Sequence, residues 1–129
     1  MIVLDASAAF ELLLRTDAGE RISARLRGSP LFHAPHLLDV EVASSLRRVV
    51  ASGMLSPQRA HDALDDLRAM RMVRHPHLPF LDRVWELRYN FSAYDACYLA
   101  LAEALGATLL TCDSALRSAR LSRGEVEVL

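Results

Sequence analysis

Short apolar runs alternate with amphipathic stretches from one end of this chain to the other, and that alternation leaves few folds open. Ile2-Val3-Leu4 stops at Asp5, Leu31-Phe32-His33-Ala34 runs into a proline, and Met72–His75 is closed by Pro76. Thr108-Leu109-Leu110-Thr111 leads to Asp113, and Glu125–Val128 comes last. Runs this short, bounded by turn residues, read as strands. The stretches between them carry helical signals. Helices are expected at Ser7–Leu14 and at Asp17–Arg27, the latter with Ile22 and Leu26 on one face. Gly28-Ser29-Pro30 then punctuates the chain. A long helix over Leu37–Ala51 buries Leu38, Val42, Leu46 and Val49 or Val50. Ser56 caps the next, with Pro57 at its first position and Ala60, Leu64 and Leu67 facing inward. Pro79–Arg88 reads as helical with Val84 and Leu87 inward and Trp85 partly so; Ala93–Leu105 ends at Gly106, and Ser114–Arg120 forms a final helix.

Strands separated by helices favour parallel pairing, with helices covering both faces. The expected architecture is therefore α/β, with three α/β/α layers around a central, mainly parallel sheet of four or five strands. Ligands of such sheets bind beyond the carboxyl ends of the strands. Asp5 and Asp113 fall at two of those ends.

At 129 residues the chain reads as one domain, able to bury about two-thirds of its unfolded surface. Hydrophobic residues make up 52% of it, enough for a two-sided core, and 24% charged residues argue against disorder. The net charge of −1 hides a skew: all 15 basic residues are Arg, and Lys is absent. Arginine grips phosphate through a planar fork, so the skew is compatible with nucleic-acid contact, and equally with a GC-rich genome. Two cysteines, Cys97 and Cys112, make no disulfide framework and suggest a reducing compartment. No apolar run approaches the ~18 residues of a membrane span. A soluble, cytoplasmic protein without a membrane partner is expected.

Four acids deserve joint consideration: Asp5, Glu41, Asp95 and Asp113. Each has a local explanation. Asp5 and Asp113 can cap the helices that follow them, Asp95 lies three residues after Ser92 as in a capping box, and Glu41 can complement a helix dipole. With parallel strands, however, all four can converge on one edge of the sheet. Two carboxylates ~5 Å apart repel by about 3 kcal/mol at an effective dielectric of 20. Four would need a counter-charge, and the chain has no Lys to supply it. A divalent cation bound by oxygen alone, Mg²⁺ or Mn²⁺, answers that need and activates water against phosphodiesters.

The blocks VLDASA (Val3–Ala8), EVASSLRR (Glu41–Arg48), FSAYDACYLALAE (Phe91–Glu103) and LLTCDSAL (Leu109–Leu116) resemble, in this order, the PIN-domain family and its VapC-type ribonuclease toxins. The resemblance implies that Asp5, Glu41, Asp95 and Asp113 bind one or two Mg²⁺ or Mn²⁺ ions and hydrolyse RNA through activated water. Ser7 and Thr111 match hydroxyl residues that support the metal shell, although both also suit a cap and a strand end. The resemblance further implies a VapB-type antitoxin partner, a homodimer, and inhibition by an antitoxin segment laid across the active site.

Other features carry less. His33-x-x-His36 and His75-x-His77 mimic metal spacings but flank prolines and lack Cys or acidic company, which argues against zinc. No serine elbow or glycine-rich phosphate loop occurs. Cys97 reads as a core thiol. Tyr89, Phe91, Tyr94 and Tyr98 suit packing better than base stacking. Arg15, Arg47, Arg48, Arg117 and Arg120 lie near the acidic blocks, where they could hold phosphates or face solvent. Two competing functions remain. A phospho-acceptor signalling domain also gathers acids at strand ends but needs a lysine that this chain lacks. A catalytically silent interaction module would keep the fold and would not need all four acids.

Overall fold

The computed structural model describes residues 1–29 and 31–129. Its five strands are β1 (Ile2–Leu4), β2 (Phe32–Pro35), β3 (Met72–His75), β4 (Thr108–Thr111) and β5 (Glu125–Val128). They form one sheet in the order β3-β2-β1-β4-β5, and every neighbouring pair is parallel. Parallel neighbours need crossover connections, which helices supply. The helices are α1 (Ala6–Leu14), α2 (Asp17–Leu26), α3 (Leu37–Ala51), α4 (Pro57–Ala69), α5 (Leu81–Glu86) and α6 (Ala93–Leu105). Helix α1 packs against α2, α3 and α4, whereas α5 packs on α6, which lies along β1, β2 and β4. The sheet is thus enclosed by two helical groups. Val3, Leu4, Leu109 and Leu110 of the central strands are fully buried, along with Ile22, Leu38, Val42, Leu99 and Leu101 from the helices. The central strands show no polar alternation because neither face meets water. Among the described residues, no helix is long and apolar enough to cross a membrane.

The strand order places the site. From β1 the chain steps outward through β2 to β3, then returns to the other side of β1 with β4 and β5. The order therefore reverses between β1 and β4, and a crevice opens beyond their carboxyl ends. The register pairs Leu4 with Leu110, and the Asp5 backbone N–H donates to the Leu110 carbonyl at 3.2 Å. Asp5 and Thr111 leave the sheet side by side.

Local chemistry explains most boundaries. Asp5, Thr16, Ser56 and Ser92 each cap a helix by accepting a backbone N–H three residues on. Gly106 ends α6 in the left-handed conformation at φ 59°. Gly19 lets α1 and α2 approach closely, since a β-carbon there would lie 2.1 Å from the Glu11 carbonyl oxygen.

Several expectations shift. The second strand is Phe32–Pro35, one residue later than read. Pro35 is tolerated because β1 pairs only as far as His33, so the missing N–H lies past that ladder. The helix expected over Pro79–Arg88 divides into a 3₁₀ turn at Leu78–Phe80 and the short α5, and Trp85 points outward at 67% exposure. The helix expected over Ser114–Arg120 is a 3₁₀ segment, Ser114–Ser118, started by Asp113. Cys97 is half-buried against the small cluster of Val84, Ala96 and Ala100, and both cysteines are free. Pro30 of the expected Gly28-Ser29-Pro30 break lies outside the described residues.

Candidate active site

Asp5 is the fixed point of the crevice. It is 5% exposed, and its two oxygens are committed to different donors. Oδ1 accepts from the Ser7 hydroxyl at 2.7 Å and the Ala8 N–H at 2.9 Å. Oδ2 accepts from the Thr111 hydroxyl at 2.6 Å. The two hydroxyls are held in turn by backbone from the β4 side. Ser7 Oγ accepts from the Cys112 N–H and Thr111 Oγ1 from the Asp113 N–H, both at 2.9 Å. Each hydroxyl has one proton, and both protons go to Asp5. Their own 3.3 Å approach is therefore a close contact between acceptors. This stitching fixes the ends of β1 and β4 against each other.

The remaining acids arrive from three other elements. Asp113 accepts from the Ala115 N–H at 2.9 Å and so heads the 3₁₀ segment. Asp95 sits in the first turn of α6, its N–H bound by the Ser92 hydroxyl at 3.1 Å. Glu41 lies in the second turn of α3, past Asp39, so the first-turn dipole role falls to Asp39. The Tyr98 hydroxyl donates to Glu41 Oε2 at 2.5 Å. All four acids line one cleft of about 480 Å³, together with Ser7, Val40, Ser44, Ser45, Arg48 and Tyr94 among others.

The electrostatics follow from that crowding. Burial pushes the Asp5 carboxyl above the usual carboxylate range, against the pull of its three donors, and the charge of Asp113 adds to the rise. Burial raises Glu41 as well; the Tyr98 donor opposes this, and Asp5 and Asp95 reinforce it. Asp95 is raised by burial and then by Asp113, with Ser92 opposing. The Tyr98 phenol is pushed far upward by burial and by Glu41, so it remains a donor at any physiological pH. Among the described residues, no ion pair involves any of the four acids. Nor do any three of them stand close enough, as they lie, to share one ion.

The arginines separate clearly. Arg48 lines the cleft, while Arg15, Arg47, Arg117 and Arg120 do not. Arg15 caps α1 in the left-handed conformation, and Arg120 donates to the carbonyls of Arg117 and Ala119. His33 and His75 meet across β2 and β3, Nδ1 to Nε2 at 3.0 Å, and neither lines the cleft. Sequence reasoning placed Tyr98 with the packing aromatics and missed its bond to Glu41. The available signal was its spacing: three residues after Asp95, it shares that residue's helix face.

The model of the PIN domain family matches residues 2–121. This chain belongs to the PIN domain family. Ribonuclease VapC12 of Mycobacterium tuberculosis is 40% identical over 129 residues, which is 100% of this chain and 99% of that protein. Among solved structures, PAE2754 from Pyrobaculum aerophilum superposes with a TM-score of 0.71 at 23% identity, covering 97% of this chain and 87% of that one. Mycobacterium tuberculosis VapC20, described as a sarcin-ricin loop cleaving toxin, gives 0.68 at 17% identity, covering 95% and 99%. These two structures speak for the PIN fold.

VapC nucleases with a PIN domain depend in general on a divalent cation. The four acids of this PIN domain could hold one: they offer oxygen alone, and among the described residues no basic side chain is paired with them.

Proposed function

We propose that this chain is a metal-dependent endoribonuclease, the toxin member of a VapBC-type toxin–antitoxin pair, cutting structured cellular RNA. One observation carries the reading: four carboxylates from four separate elements line a single cleft at the switch point of the sheet, and among the described residues none of them is in an ion pair. The VapC relatives, named as ribonucleases, supply the substrate class.

Asp5, Glu41, Asp95 and Asp113 would hold Mg²⁺ or Mn²⁺. When bound, such an ion supplies a water of lowered pKa and neutralises charge on the phosphoryl oxygens. The protein's own part is positioning. Ser7 and Thr111 orient Asp5, so one carboxylate is set before any ligand arrives. Tyr98 orients Glu41 from the wall of the cleft. Ser92 anchors the turn that carries Asp95. Residues 1–129 act together as one nuclease domain in this reading. A VapB-type antitoxin in the cytoplasm is the partner, and an Arg or aromatic anchor from it would meet the same acids. A homodimer in this reading would use exposed apolar residues such as Leu78, Leu81 and Trp85.

The test compares RNA ends in cells after brief induction of the wild type and of Asp5→Asn. Discrete new ends with the wild type, absent with the variant, identify both the activity and the target. Purified protein should lose cleavage in EDTA and regain it with Mg²⁺ or Mn²⁺. Unchanged cleavage in EDTA would overturn the mechanism, and binding of RNA without cutting would favour the silent interaction module.

A further inference from the structure

Helix α3 forms one wall of the cleft through Val40, Glu41, Ser44, Ser45 and Arg48. This spacing keeps a single helix face toward the cleft for two turns. Glu41 stands at the acidic end and Arg48 seven residues further on, about 10 Å along the axis at 1.5 Å per residue. Among the described residues, Arg48 is the one basic side chain lining the cleft. It shares that cleft with four carboxylates, yet it pairs with none of them. Its Nη2 donates instead to Ser45 Oγ at 3.1 Å. That leaves most of the five guanidinium N–H donors unspent. Because Ser45 Oγ accepts from Arg48, the serine's own proton is free to be donated elsewhere. An Arg fork beside a hydroxyl donor is chemistry suited to a phosphate oxygen pair.

A polyanion crossing this cleft meets carboxylates at one end and this pair at the other. The acids serve the phosphate that reacts. The rest of the strand needs a favourable contact at a distance from them. We propose that Arg48 and Ser45 together form a binding site for a backbone phosphate beside the one that is cut, and so fix how the RNA lies across the cleft. The inference rests on the ribonuclease reading above. It assigns substrate holding to one pair on α3 and leaves the chemistry to the acids.

Arg48 is exposed, so its replacement leaves the core untouched. The experiment uses the full chain and a fluorescein-labelled oligoribonucleotide carrying the cut site mapped in cells. Arg48→Ala should raise KM about tenfold, the loss of one charge-assisted contact, and leave kcat within about twofold. Ser45→Ala should raise KM by about threefold, and Arg48→Lys should fall between the wild type and Arg48→Ala, since it keeps the charge and loses the fork. Arg27→Ala removes the same charge from the far end of α2 and should change neither constant. Anisotropy of the same oligonucleotide in an Asp95→Asn background, where cutting is absent, should show the same weakening with a salt slope reduced by ~0.7. A fall in kcat with KM unchanged would move Arg48 to the reacting phosphate and overturn the assignment. Equal behaviour of Arg48→Ala and Arg27→Ala would overturn it too. Failure of the wild type to cut or bind any RNA would instead defeat the ribonuclease reading itself.

Discussion

Two concavities of similar size flank helix α3, and they treat their acids in opposite ways. The first, about 480 Å³, holds Asp5, Glu41, Asp95 and Asp113. The second, about 440 Å³, is lined by Asp39, Leu64, Leu67, Arg68 and Arg74. Asp39 and Glu41 are two residues apart on the same helix. Asp39 receives a two-pronged arginine, with Arg74 Nε at 2.7 Å and Nη2 at 2.9 Å. Glu41 receives only the neutral Tyr98 hydroxyl. An acid met by a planar guanidinium is electrostatically complete and ties α3 to β3. An acid met by a phenol, with the charges of Asp5 and Asp95 acting on it, has no ion-pair partner among the described residues. Under the proposed reading, acidity alone does not mark a functional residue; what sets the four acids apart is that they share one cleft and, among the described residues, none of them is in an ion pair.

The sharpest way to break this contrast is to neutralise one acid on each side. Asp95→Asn should abolish RNA cleavage and leave the metal-free fold as stable as before or slightly more so, because a like charge is removed. Asp39→Asn should cost about 1 kcal/mol or less by thermal or urea unfolding and leave cleavage intact. If Asp39→Asn silenced the enzyme as thoroughly as Asp95→Asn, the division between the two pockets would be wrong.

A smaller effect is expected from Thr111→Val. The residue is fully buried, and the change removes both the donor to Asp5 and the acceptor for the Asp113 N–H at nearly constant volume. Loss of such a supporting hydroxyl should lower metal affinity or activity by about 10–100-fold. Calorimetric titration with Mn²⁺ reads this directly, and an unchanged affinity would show that Asp5 needs no such orientation.

The smallest effect is a pH dependence. Asp5, Glu41 and Asp95 are all raised above the ordinary carboxylate range, with burial as the leading cause. A raised folded-state pKa contributes stability that is present at low pH and lost as pH climbs through it. In the metal-free protein this part of the stability should grow as pH falls from neutrality toward the ordinary carboxylate range. The His33–His75 pair acts in the opposite sense, since burial lowers both rings. The informative quantity is therefore the melting temperature of the wild type minus that of Asp5→Asn/Glu41→Gln/Asp95→Asn at each pH. That difference should move in the wild type's favour on acidification and become flat in saturating Mg²⁺.

Much of this was legible in the chain because the relevant physics is short-range. The capping by Asp5, Ser56 and Ser92, the end of α6 at Gly106 and the inward stripe of Leu38, Val42 and Leu46 are all set within a turn or two. The weaker readings also had local causes. Ser114–Ser118 carries one inward residue, Leu116, which is too little to hold a full helix, and Trp85 lies on a helix of six residues whose buried face is satisfied by Val84.

What the amino-acid order determined by itself is the succession of strands and helices and the position of an acid at or near the start of several of them. Hydrophobic period and cap chemistry act between near neighbours, so they can be read without coordinates. The tertiary structure decided which charges would be answered. The reversal of strand order between β1 and β4 brought Thr111 to Asp5 across 106 residues and Tyr98 to Glu41 across 57. The same packing delivered Arg74 to Asp39 and left Arg48 on the cleft wall with no acidic partner among the described residues. Those pairings depend on where whole elements come to rest, and no local pattern in the chain encodes it.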